Sequence, residues 1–131
     1  MANILLIEDD EALRLLYCEV LETYGHSLVV ATNGEEGVAL FNDSIDVVLT
    51  DMNMPRKNGL QTAALLRQRA PNLPVIVMSG HPGQSEELKK FAMEGGANRF
   101  LYKPFTPEIL CETVTQILAA VSAVARENVP V

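Results

Sequence analysis

Five short runs of the chain are dominated by apolar residues with little polar alternation: Asn3-Ile4-Leu5-Leu6-Ile7, Ser27 to Ala31, Val47-Val48-Leu49, Val75-Ile76-Val77-Met78 and Arg99-Phe100-Leu101-Tyr102. Such runs suit strands covered on both faces, which have no solvent side to fill with polar residues. The intervening stretches follow the period of a helix. Leu13, Leu16, Tyr17, Val20, Leu21 and Tyr24 recur at threes and fours, which predicts a helix from Glu11 to Tyr24, capped by Asp10 and stopped by Gly25. Asn33 followed by Glu35 and Glu36 predicts a second helix, with Val38, Leu40 and Phe41 on its apolar side up to about Asn42. Gly59 to Arg69 reads as a third, ended by Pro71 and Pro74. A fourth is predicted to start at Ser85, carry Leu88, Phe91 and Met93, and close at Gly95-Gly96. Thr106-Pro107-Glu108 supplies an N-cap, a proline at the first helical position and an early acid for a fifth, whose stripe of Leu110, Val114, Ile117, Leu118 and Val121 fades into a tail from Arg126.

Strands alternating with helices across short loops predict a parallel sheet with helices on both faces, a doubly wound α/β domain. In such sheets functional groups collect at the carboxyl ends of the strands, near the point where strand order reverses. Four of the five predicted strands end in a reactive or charged residue: Glu8-Asp9 after the first, Asp51 after the third, Ser79 after the fourth and Lys103 after the fifth. Asp51 is the most conspicuous, because a run of β-branched and apolar residues stops at it and Met54-Pro55 then forces an extended or turn conformation.

Carboxylates held about 4–6 Å apart repel by roughly 1–4 kcal/mol at an intermediate dielectric. Glu8, Asp9 and Asp51 therefore need compensation. Lys103 offsets one charge, and the remaining two match a hard divalent cation bound through oxygens, as Mg²⁺ is. An ionised carboxylate beside Mg²⁺, a lysine and a hydroxyl has the parts for phosphoryl transfer onto the carboxylate itself. Asp51 would be the nucleophile and phosphoacceptor, with Lys103 neutralising and Ser79 donating to the phosphoryl oxygens.

Composition narrows the picture. A chain of 131 residues fits one domain with one core. The net charge of −7 argues against direct binding to nucleic acid, which needs clustered Lys and Arg. Apolar runs are too short to span a bilayer, and Met1-Ala2-Asn3 lacks the basic segment of a leader, so no membrane association and a cytoplasmic setting are expected. Cys18 and Cys111, both in helical apolar patterns, are expected as reduced thiols, with a disulfide as the minor alternative. His26 is expected in a surface turn.

Four segments in register resemble the signature segments of the response-regulator receiver domains of two-component signalling: Ile4 to Asp10, Leu49 to Pro55 with Gly59, Val77 to Gly80, and Tyr102 to Phe105. The resemblance covers about residues 3 to 122, giving a receiver domain over 1–122 and a helix end, tail or linker stub over 123–131. It implies a flavodoxin-like five-stranded sheet of order 2-1-3-4-5, and a phosphoryl group taken onto Asp51 from a histidine kinase or a histidine phosphotransfer protein. It further implies Asp9 and Asp51 as Mg²⁺ ligands, the backbone carbonyl of Asn53 as a third, and Glu8 acting through a water. Ser79 and Lys103 would hold the phosphoryl group, and Lys103-Pro104 would be a cis peptide. Phe100 occupies the aromatic switch position, where its side chain swings inward when the Ser79 hydroxyl is drawn to the phosphate. That movement reshapes the face of the fourth helix, fifth strand and fifth helix, through which a homodimer or an output partner would bind. Glu8 and Ser79 stand where Asp and Thr are commonest, and Phe100 lacks a phenolic hydroxyl, so a switch here works by packing. His81, two residues after Ser79, is a candidate for controlling water access, against the alternative of an exposed loop histidine.

Two other classes compete. A phosphohydrolase working through an aspartyl phosphate usually needs a second acid two residues after the nucleophile, and Asn53 stands there. A receiver-like module that signals by binding alone would tolerate loss of the acidic pair, Asp51 or Lys103, all of which are present.

Overall fold

The two strands richest in β-branched and aliphatic residues lie deepest. In the computed structural model, which describes residues 2–52, 58–80, 90, 93, 94 and 96–127 with side chains to 121, β3 (Val47–Asp51) and β4 (Val75–Ser79) are buried at every position. They are joined by β1 (Asn3–Ile7), β2 (Ser27–Ala31) and β5 (Arg99–Tyr102) in one parallel sheet of order β2-β1-β3-β4-β5. This is the doubly wound, flavodoxin-like order expected from the sequence.

Alternate residues of the strands feed two separate cores. Ile4, Leu6, Val47, Leu49, Ile76 and Met78 pack on one face with Tyr17 and Leu21 of α1 (Glu11–Thr23) and Leu110, Cys111, Val114 and Ile117 of α4 (Pro107–Glu127). Leu5, Ile7, Val48, Val75 and Val77 pack on the other with Phe41, which follows α2 (Gly34–Leu40), and with Ala63 and Leu66 of α3 (Gly59–Arg69). Burial on both faces is why these strands read as continuous apolar runs.

Boundaries follow local chemistry. Asp10 caps α1 by accepting from the Leu13 N–H at 3.0 Å. The helix ends in a Schellman turn, with Gly25 at φ 92° and the His26 N–H donating to Leu21 O at 3.1 Å. Asn58 and Gln61 form a reciprocal capping box at the start of α3. Two ends differ from the sequence expectation. α2 stops at Leu40, because Phe41 turns extended and buries its ring beneath the Arg69 guanidinium, 5.1 Å from the ring centroid. α4 runs on to Glu127, into the tail expected from Arg126. The helix expected from Ser85 falls largely outside the described residues, of which Lys90, Met93 and Glu94 are helical. Among the described residues no helix is long and apolar enough to cross a membrane. Cys18 and Cys111 are both free thiols.

Candidate functional site

Strand order reverses between β1 and β3: one connection leads from β1 outward to β2, the other outward through β3 to β5. The loops after β1 and β3 diverge there and leave a crevice at the strand ends. Ile7 is paired with Thr50, so the residues that follow each, Glu8 and Asp51, emerge side by side. Ser79 ends β4 opposite Tyr102, and the Lys103 N–H continues that pairing by donating to Ser79 O at 2.7 Å. Lys103 is thereby aimed back across the sheet, and its peptide bond to Pro104 is cis.

The resulting cluster is charged and largely buried. Glu8 is 0% exposed and Asp51 8%, whereas Asp9 is open to solvent. One carboxylate oxygen from each of the three lies within 4.8 Å of the others. Lys103 Nζ lies 2.6 Å from Glu8 Oε1 and 3.4 Å from Asp51 Oδ2, so the ammonium bridges both acids and sits closer to Glu8. Burial pushes the Glu8 carboxyl up to about 7. The hydrogen bond from Lys103 opposes that rise, and the adjacent Asp51 carboxylate adds to it. For Lys103, burial alone would favour the neutral amine, but its hydrogen bond to Glu8 and the negative charge of Asp51 outweigh it and hold the ammonium above its ordinary value.

Two buried atoms have no hydrogen-bond partner among the described residues: Glu8 Oε2 and Ser79 Oγ. Orphaned buried polar atoms are uncommon, and at a site they mark where a ligand completes the network. A hard, oxygen-seeking cation fits the three carboxylates and would satisfy the free Glu8 oxygen directly or through a water. The Ser79 hydroxyl remains available to an incoming acceptor.

Other expected site residues are placed less centrally. Phe100 is half-buried against the second core, its ring meeting Tyr102 edge-on at 4.9 Å. Asn53 and His81 lie outside the described residues. His26, expected at the surface, is instead half-buried and accepts the Ala2 N–H at Nδ1 over 3.2 Å, because the turn after α1 folds back against the start of β1.

Three further residues shape the pocket, and their role was not apparent from sequence. Arg14 of α1 donates from Nη1 to Glu8 O at 3.0 Å and, over a longer 3.4 Å, to Asp9 O. Tyr17, one turn further along α1, stacks on Phe105 at 5.2 Å, bracing the segment that follows Lys103. Gly59 lets α3 start against the end of β3: its N–H donates to Met52 O at 2.9 Å, and a Cβ there would stand 2.6 Å from Asp51 O. A lone basic residue just after the acidic run Glu8 to Glu11 was the available signal for Arg14.

Comparison with known proteins agrees with this geometry. The family described as "Response regulator receiver domain" matches residues 4–115. The chain is 38% identical over 118 residues to the transcriptional regulatory protein CpxR of Escherichia coli K12, covering 90% of this chain and 50% of CpxR. It thus spans about half the length of that relative. It is 31% identical to the chemotaxis protein CheY homolog of Campylobacter jejuni, covering 88% of this chain and 92% of that one. Among solved structures, a response regulator receiver domain protein from Clostridium thermocellum superposes with a TM-score of 0.87 at 29% identity, covering 95% of this chain and 99% of the other.

Proposed function

The chain belongs to the receiver domains of response regulators, and from that premise we propose that it accepts a phosphoryl group on Asp51 from a histidine kinase or a histidine phosphotransfer protein. The observation that carries this reading is the pair of buried acids Glu8 and Asp51, bridged by the Lys103 ammonium beside two unpartnered oxygens. In the transfer, an Asp51 carboxylate oxygen attacks phosphorus and the P–N bond of a phosphohistidine breaks. The imidazole nitrogen leaves with the electron pair and takes up a proton from solvent. No general base is required, because the ionised carboxylate is already a nucleophile. Bound Mg²⁺, held by Asp9, Asp51 and the Asn53 carbonyl with Glu8 acting through a water, would supply neutralisation of the phosphoryl oxygens. Lys103 reaches the same oxygens by turning from Glu8, and Ser79 donates its unpartnered hydroxyl to one of them.

The same contacts supply the switch. Drawing Ser79 toward the phosphoryl group opens space beside β5, into which Phe100 repacks. The altered face comprises β5, α4 and the helix expected from Ser85, and it is the surface through which an output partner or a second copy would bind. The receiver unit is residues 1–122, with 123–131 continuing from it. The free thiols Cys18 and Cys111 support a cytoplasmic setting.

The test is incubation with Mg²⁺ and acetyl phosphate or phosphoramidate, followed by intact mass measurement. One added phosphoryl group is expected on the wild-type chain and none on Asp51→Asn. No adduct on the wild type would turn the assignment toward a module that signals by binding alone.

A further inference from the structure

We propose that Arg14 is a positioning residue for the metal site: it fastens the backbone of the acid pair Glu8-Asp9 to α1 and so holds the Asp9 carboxylate where a divalent cation can use it. The inference rests on the function proposed above and concerns how the cation is gripped. The paired register of β1 with both neighbours ends at Ile7, and beyond it only the Glu8 N–H, bonded to Ala31 O at 3.1 Å, continues the sheet pattern among the described residues. The carbonyls of Glu8 and Asp9 both accept from Arg14 Nη1, at 3.0 and 3.4 Å. Arg14 is itself anchored, since its N–H closes the first turn of α1 on Asp10 O at 2.9 Å while the Asp10 side chain caps the same helix. The turn carrying an exposed acid is thus tied at three points to one helix end. Glu8 needs no such help, being buried and held by Lys103, whereas the solvent-exposed Asp9 has no side-chain hydrogen bond among those described. Residues that orient ligands from behind typically change metal affinity by one to two orders of magnitude.

The sign of the effect separates positioning from simple proximity of charge. A guanidinium near a cation site repels the cation, so if charge were its whole contribution, Arg14→Met would bind Mg²⁺ more tightly. If Arg14 positions Asp9, the same variant binds Mg²⁺ more weakly, by roughly tenfold. The experiment titrates Mg²⁺ into wild-type, Arg14→Met and Arg14→Lys chains, following backbone amide resonances, with melting in chelator as a check on folding. Weaker binding by Arg14→Met, with intermediate binding by Arg14→Lys, which keeps the charge and one donor direction, supports the inference. Unchanged or tighter binding by Arg14→Met overturns it. Should Arg14→Met not fold, Arg14→Lys decides in the same way: weaker binding supports, unchanged binding overturns. A wild-type chain that binds no Mg²⁺ removes the proposed function and this inference together, whereas normal wild-type binding with a tighter Arg14→Met removes the inference alone.

Discussion

Glu8 has no solvent exposure, one oxygen on Lys103 and one without a partner. Its folded-state pKa, about 7, lies above its ordinary value of 4.5, so without metal the native state holds a proton that the unfolded chain releases between those values. Stability from this group is therefore fully present below pH 4.5 and is lost as pH rises through 7. In chelator, urea melts should show the wild type losing stability from pH 5 to pH 8 more steeply than Glu8→Gln. Ser79 presents the opposite case. Its hydroxyl has no partner to lose, so Ser79→Ala should shift the urea-derived stability by less than about 1 kcal/mol. Phosphorylation by acetyl phosphate should nevertheless slow by roughly tenfold or more, since a hydrogen bond to a charged acceptor contributes about 1.5–3 kcal/mol. At this scale the sequence was informative about which residues meet, because strand ends converge in a doubly wound sheet. It could not say that Lys103 would sit nearer Glu8 than Asp51, since that depends on the path of one flexible side chain.

At the scale of elements, the junction of β3 and α3 carries the tightest constraint. A Cβ on Gly59 would meet Asp51 O at 2.6 Å and Met52 Cα at 3.1 Å, and backbone atoms cannot rotate away. Gly59→Ala should therefore lower stability by about 1–3 kcal/mol in urea melts and weaken Mg²⁺ binding through displacement of Asp51. Gly37 differs in kind, because a Cβ there would meet Cδ1 and Cγ1 of the fully buried Ile7 side chain, so a substitution there strains core packing and not the backbone that carries Asp51. The strands and most helix ends were legible in the sequence, since continuous apolar runs and caps such as Asp10 and Asn58 leave local marks. Three features were not. α4 runs on into the tail expected from Arg126, the role of Arg14 depends on a carbonyl pair that no side-chain pattern records, and the half-burial of His26 depends on a turn folding against β1.

For the molecule as a whole, two cores lie on opposite faces of one sheet, and the charged cluster sits at the edge shared by both. A cation that binds only the folded arrangement stabilises the entire domain. Mg²⁺ at a hundredfold excess over its Kd should add about 2.7 kcal/mol to unfolding. Chelator should reverse the gain, and Asp9→Asn should lose most of it, as read from melting curves at fixed protein concentration.

Lys103 also has a mechanical meaning. It leaves the outermost strand, passes Gly80 just beyond the end of β4 and reaches acids carried by β3 and β1, so one side chain laces the rim of the sheet to its middle. A change in the charge at Asp51 therefore acts on a residue rooted at the far side of the sheet, because it changes one of the two attractions that hold the Lys103 ammonium in place.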